Sequence, residues 1–449
     1  MSRVLTRSPR AAAPPDGLPP GPRLPMPVQA LLWEFRFPQF VKRCRQRYGD
    51  TFVVNLPVSG KVVSICDPDL IRTVFADHGD RMHAGEANSV LEPALGSHSV
   101  LLLDGTEHMR QRRLMLPSFH GDRMQRYLTL MTDITTHEVD RWPLRRAFPL
   151  RPSMQAITLQ VILRAVFGLR EGAVLTQLRD GISRLLELGQ ASRLSLIPQL
   201  HRDFGPIRTW SRWLELRGAV DEALYGEISR RRAAPDLAER DDVLSLLLLA
   251  RDEQGEAMTD VELRDELMTL LLAGHETTAT SLAWFFDLVL HEPAVEQRLH
   301  RDLAEGSTRY LEATIKETMR LRPVVPFIAR RLTEPVQIGG YRIPAGMVLV
   351  PSIYLTHHRA DIYPEPEQLR PERFLDGRTD TLTWLPFGGG IRRCLGASFA
   401  SYEMRVVVPE ILRRVRLRSA SPRREAIRKR SVTLTPARDT RVIVEERLT

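Results

Sequence analysis

Three cysteines in 449 residues, Cys44, Cys66 and Cys394, are too few to staple a chain of this size, which excludes a disulfide-framework protein. No apolar stretch of signal-peptide kind opens the chain, and Pro14, Pro15, Pro19, Pro20 and Pro22 break up its first residues before any run reaches membrane length. Neither a secretory signal nor an integral membrane anchor is expected, and the expected location is the reducing cytoplasm. No Gly-rich phosphate loop follows a strand, so no nucleotide-binding module is expected, and no internal repeat is visible. Acids are scarce in one place: Arg413 to Arg430 holds nine basic residues against Glu425 alone, within a formal net charge of +9. Such a surface fits nucleic acid or an acidic electron-transfer protein, and a solvated basic face is the plain alternative.

Residues 1–25 read as a proline-rich, flexible leader. Thr51 to Leu56 and Lys61 to Ile65 then read as a β pair around Ser59-Gly60, and Asp67-Pro68 opens a short helix. Met82 to Asp104 is loop-rich and a candidate substrate-facing segment. From Thr106 to about Leu299 the pattern is helical, with breaks expected at Pro152, Gly181, the Pro198 to Pro206 region and Pro235. Beyond Pro335 Gly and Pro recur, and Gly346 to Val350 and Val432 to Leu434 read as small strands. The fold class is therefore mainly α with a small β region.

Thr259-Asp260-Val261-Glu262 has capping-box spacing, and helical periodicity continues from there to Pro293. Apolar residues cover most of this long helix, so burial on most sides is expected, while His275, Glu276, Thr277 and Thr278 at its centre speak against a membrane span. Gly274 and two threonines are weak helix formers inside it. A threonine hydroxyl can compete for the carbonyl four residues back, and a bulge with room for a small molecule is expected there. Glu276 beside Thr277 sets a carboxylate and a hydroxyl at one point, which suits proton relay; a kink with satisfied polar groups is the plain alternative.

Glu317 and Arg320 stand three apart on the Tyr310 to Arg322 helix, and a surface salt bridge is the default reading. Arg373, in Pro371-Glu372-Arg373-Phe374, would complete a buried network if the two segments meet.

Phe387-Gly388-Gly389-Gly390-Ile391-Arg392-Arg393-Cys394-Leu395-Gly396 allows a tight turn before a helix that starts at Ala397. The helix dipole, with Arg392 and Arg393, is expected to favour a Cys394 thiolate. No second Cys or His lies at zinc-ligand spacing, which speaks against zinc, and a thiolate ligand and a catalytic nucleophile both stay open. Cys44 has cationic neighbours that favour its thiolate but no loop around it; it and Cys66 read as small core residues.

These residues resemble the cytochrome P-450 family from about Pro19 to the C-terminus. Phe387, Gly390, Arg392, Cys394 and Gly396 match its haem-binding loop, and Ala273 to Thr278 looks like its oxygen-activation motif. Glu317 to Arg320 resembles its Glu-x-x-Arg helix, and Pro371 to Phe374 its arginine-bearing meander. The resemblance implies one catalytic domain over residues 26–449, with haem b (iron protoporphyrin IX) between the long central helix and the cysteine loop. It implies Cys394 as the iron ligand, Gly274 on the distal side, and His108, Arg112, Arg330 and Arg392 at the haem propionates. Thr277 and Glu276 become the catalytic pair, and Glu317, Arg320 and Arg373 a structural ion-pair network.

The implied activity is monooxygenation of a small apolar substrate by dioxygen in a monomer. Electrons would come from separate ferredoxin and ferredoxin reductase type donors, with no nucleic acid partner. A peroxide-driven haem-thiolate enzyme or isomerase, a haem gas sensor and a nucleic-acid-binding protein are the rivals. Two departures stand out. The Pro293 to Tyr310 connection is short, and Pro19 to Pro25 resembles the hinge of membrane-bound members without the anchor before it. Peripheral membrane contact through Leu31, Leu32, Trp33, Phe35 and Phe37 is the alternative to a purely cytoplasmic location.

Overall fold

The β-branched runs Thr51–Leu56 and Gly60–Ile65 pair antiparallel, with Thr51 opposite Ile65 and Leu56 opposite Gly60. Val348–Pro351 joins Gly60–Ile65 in parallel, Arg330–Leu332 follows antiparallel, and Met82–His83 closes a five-stranded sheet. The computed structural model describes residues 17–448 apart from 78, 80, 120–122, 169–171, 192–202, 204–207 and 377–379. The first sixteen leader residues and most of the Pro198 to Pro206 break lie outside these. The rest of the leader runs along the sheet edge, where the Val53 N–H donates to the Pro20 carbonyl at 3.0 Å.

Most of the described chain is helical. The central helix spans Asp260–Val289, and its start is capped as the sequence expects: Thr259 Oγ1 accepts the Glu262 N–H while the Glu262 carboxylate accepts the Thr259 N–H. Leu263, Leu267, Leu271, Leu282, Phe285 and Phe286 are all buried along it. It packs chiefly on the Leu150–Phe167 helix. Two expected breaks are absent. Pro152 sits in the first turn of that helix, where its missing N–H costs nothing. Gly181 lies inside Ala173–Ala191, because a Cβ there would come within 2.7 Å of Val220 in Thr209–Arg232. The short Pro293 to Tyr310 connection is itself a helix, Pro293–Ala304, turned by Gly306.

Two buried histidines tie the fold to pH. Leu385 N–H donates to His357 Nε2 at 2.7 Å, so the proton sits on Nδ1, 3.0 Å from the Arg320 carbonyl. Burial, with Arg320 behind it, pushes His357 down to about 3, and burial with Arg151 pushes His275 down to about 4. Unfolded imidazoles titrate near ~6.5, so below that pH the unfolded chain binds protons that the native state refuses. The contribution of these two histidines is therefore complete above pH ~6.5 and is lost as pH drops towards about 4, while Asp287, which burial raises to about 6, contributes in the opposite sense. In urea unfolding from pH 8 to 4, His357→Gln should lose less stability than wild type as the pH falls; parallel profiles for the two proteins would refute the assignment.

Candidate active site

The cysteine loop is closed by its own backbone. Cys394 N–H donates to the Phe387 carbonyl at 3.0 Å, Arg393 N–H to Gly390 at 3.1 Å and Gly388 N–H to Leu385 at 3.0 Å. Gly388 and Gly390 hold φ of 65° and 63°, the left-handed region that favours glycine. Gly389 is extended, but a Cβ there would stand 2.2 Å from the Phe75 ring. The three glycines thus serve a turn and a close contact. Gly396 then precedes the Ala397–Arg414 helix.

Cys394 opens into a cavity of about 1050 Å³ whose other wall is the central helix at Ala273, Gly274 and Thr277. Leu101, Ile162, Trp213, Val325, Phe327 and Val432 make much of the lining apolar. Phe387, Gly396, His108, Arg112, Arg330 and Arg392 face the same cavity. Gly390 lies inside the loop and is not part of the lining. The Met82 to Leu101 segment contributes through short helices at Ala84–Ala87 and Glu92–Leu95 rather than through plain loop.

Thr277 Oγ1 donates to the Ala273 carbonyl at 2.7 Å and Thr278 Oγ1 to Gly274 at 3.2 Å. The competition expected from the sequence is present, yet the helix runs unbroken and the bulge is absent. Ile162 explains Gly274 in part, since a Cβ would meet its Cδ1 at 3.3 Å.

Glu276 has partners no local motif announces. Arg151 Nη1 donates to its Oε1 at 2.9 Å and Gln155 Nε2 to its Oε2 at 2.6 Å. Arg151 Nε reaches Asp439 at 2.6 Å, and Arg430, which lines the cavity, shares that same oxygen at 3.2 Å. A chain of charge therefore leads from the helix centre to the part-exposed Asp439.

Three arginines crowd the cavity's other end. Burial first, and Arg392 second, pulls Arg330 down to about 10; burial also takes Arg392 to about 10, against the pull of Asp104. His108 falls to about 3 through burial and then Arg392, Arg112 and Arg330. The Arg112 side chain makes no hydrogen bond or ion pair to another described residue, although its carbonyl accepts the Leu116 N–H. Arg392 turns from the sulfur to the Val100 carbonyl at 3.1 Å, with Leu103 and Asp104 also in reach. The expectation that Arg392 favours the thiolate is corrected by that geometry: Arg112, Arg393 and the Gly396 N–H do so, while burial outweighs them and raises the Cys394 thiol. Cys394 is exposed to the cavity yet deep among protein atoms. Cys44 and Cys66 are buried, and burial pushes Cys44 up to about 11 in spite of its cationic neighbours.

Glu317 and Arg320 are both 0% exposed, which overturns the surface reading. Arg320 grips Glu317 at 2.6 and 2.8 Å, and Arg373 Nε reaches the same carboxylate at 3.3 Å. Arg320 also donates to the His357 and Pro366 carbonyls. The basic run is largely answered by acids from elsewhere: Arg414 by Glu410, Arg418 by Glu445, Arg424 by Glu292 and Lys429 by Glu34.

Residues 19–442 match the family model described as Cytochrome P-450. This chain belongs to the cytochrome P-450 family. A cytochrome P-450 135B1 of Mycobacterium tuberculosis is 44% identical over 439 residues, 95% of this chain and 91% of that protein. A cytochrome P-450 138 of Mycobacterium bovis is 38% identical over 448 residues, all of both chains. Among solved structures, the retinoic acid bound cyanobacterial CYP120A1 superposes with a TM-score of 0.82 at 23% identity, over 96% of this chain and 99% of that one. The fold is that of the family, and the enzyme is a haem-thiolate monooxygenase in class. The residues fit haem: one cysteine sulfur faces the cavity, and the cations that depress one another, the Arg112 guanidinium unpaired among them, suit anionic groups.

Proposed function

We propose that this cytochrome P-450 inserts one oxygen atom from dioxygen into a small apolar molecule, with electrons from ferredoxin and ferredoxin reductase type donors. The cofactor is haem b, held by Cys394 at the iron and by Arg112, Arg330, Arg392 and His108 at the propionates. The enzyme acts as a cytoplasmic monomer on an apolar substrate. The observation that carries the reading is one cavity with a cysteine sulfur on one wall and the Gly274–Thr277 turn on the other. The paired state of the basic run leaves little reason to assign it nucleic acid.

When bound, the haem supplies the oxidising chemistry, which a thiolate ligand favours by pushing electron density towards O–O cleavage. The chain's own work is positional and protic. Apolar lining excludes bulk water from the substrate side, so protons must come by a defined route. Glu276, which lines the cavity, is the group that delivers the proton; Arg151 and Gln155 hold its carboxylate, and Asp439 fixes Arg151 in turn. The Thr277 hydroxyl now rests on the Ala273 carbonyl and can swing into the cavity to give or take a hydrogen bond. Glu317, Arg320 and Arg373 hold the segment that leads into the cysteine loop.

Thr277→Ala is the test. The variant should keep the thiolate-type haem spectrum and substrate binding but consume reductant mainly to release peroxide, with coupling down about tenfold or more. Normal coupling would refute the role of Thr277. Product formed from peroxide alone, without donor or dioxygen, would replace the proposal with a peroxide-driven enzyme; carbon monoxide binding without turnover would replace it with a gas sensor.

A further inference from the structure

The N-terminal helix Met26–Phe35 is fixed by its inner face. Trp33 is 7% exposed and packs 4.9 Å from the Phe37 ring and 5.2 Å from Phe327. Gln29 takes the Asn55 N–H at 2.9 Å and donates to the Leu24 carbonyl at 2.7 Å. Trp33 and Phe37 therefore belong to the core, against the sequence expectation that they face outward. What faces outward is a different stripe. Leu24, Val28 and Leu31, spaced by four and three, are 43%, 39% and 57% exposed, and Met26 and Val58 are exposed as well.

The charge around the stripe has one sign. Arg23 before the helix and Arg36 after it are exposed and make no ion pair to another described residue, as does Lys61 beyond the Val58 turn. The helix's single acid, Glu34, is already held by Lys429 at 2.6 Å. Residues 1–16 add Arg3, Arg7 and Arg10 against Asp16 alone. An apolar stripe bordered by unpaired cations matches a surface that is apolar beneath and anionic on top.

We propose that this face docks on a lipid surface rich in anionic headgroups, with Leu24, Val28 and Leu31 in the acyl boundary and Arg23 and Arg36 among the headgroups. No described helix is long and apolar enough to cross a membrane, so the contact is with one leaflet. The proposal goes beyond the oxygenase reading and stands without it. It gains a use from the fold, because Phe327 lines the cavity and backs onto Trp33, so helix and cavity share one aromatic layer.

Sedimentation of the full-length holoprotein with vesicles of phosphatidylcholine, with and without phosphatidylglycerol, tests it. Binding should be about tenfold or more tighter to the anionic vesicles. Val28→Asp with Leu31→Asp should weaken it by about tenfold or more, while the haem spectrum confirms an intact fold. Arg23→Glu with Arg36→Glu should abolish the preference for phosphatidylglycerol. The proposal fails if wild type binds neither vesicle, or if the two aspartates leave binding unchanged. It fails equally if they abolish self-association in size-exclusion chromatography and not vesicle binding, which would assign the face to a second copy.

Discussion

Cys394→Ser is expected to leave a folded chain that has lost turnover by at least about three orders of magnitude, about 4 kcal/mol in the barrier. The fold should survive because the loop is held without the sulfur. Its shape rests on the Cys394 N–H bonded to Phe387, on the glycines against Phe75, and on Arg392 bonded to the Val100 carbonyl. Serine keeps all of these. A serine hydroxyl cannot supply the charge that a cysteine can, because its proton is far harder to remove. Arg112, Arg393 and the Gly396 N–H all pull the Cys394 thiol towards ionisation, although burial alone pushes it the other way. An iron bound at the sulfur would add the charge needed to settle that contest for the thiolate. The measurements are haem content, circular dichroism and the carbon monoxide spectrum of the reduced protein. Native helicity with loss of the thiolate signature supports the assignment. A thiolate-type spectrum that persists in the serine variant would remove Cys394 from its role.

Local grammar is what the sequence displayed well. The Thr259 to Glu262 capping box marked the start of the central helix, and the glycines before Cys394 marked a turn that the backbone angles require. Polar contacts between distant segments were hidden. Arg151 and Asp439 lie 288 positions apart and Arg151 and Glu276 are 125 apart, with nothing in their neighbours to pair them. Direction within a helix was hidden too. Leu31 and Trp33 are both apolar and two apart, and only the partners Phe37 and Phe327 decide which is buried. The same holds for Arg392 and Arg112: adjacency in sequence favoured the first as the neighbour of the sulfur, and geometry favours the second. For Glu317 and Arg320 the spacing was legible and the depth was not, and depth makes their bond costly to break.

Glu317→Ala is expected to cost about 3–5 kcal/mol, because it strands Arg320 at 0% exposure and leaves Arg373 with one partner fewer. Glu317 also accepts the Arg370 N–H at 3.0 Å, so the variant frees the 364–373 segment as well. Glu317→Gln keeps that acceptor and the shape but loses the charge, and should cost less. Replacing both Glu317 and Arg320 with leucine is no remedy here, although apolar replacement of buried ion pairs often is. Arg320 satisfies the carbonyls of His357 and Pro366, and one buried and one part-buried acceptor would then lose their donor. The damage should reach the haem site through a traceable route. Arg320 and His357 meet at the Arg320 carbonyl, His357 takes the Leu385 N–H, and Leu385 is two residues ahead of Phe387 at the start of the cysteine loop. Trp384 adds a second tie by donating to the Lys316 carbonyl at 3.1 Å. Urea unfolding at pH 7, read with haem release, separates these claims. Glu317→Ala should unfold earlier and release haem before the helices melt. Unfolding within about 1 kcal/mol of wild type would mean that water reaches Arg320, and that the buried triad does not hold the loop.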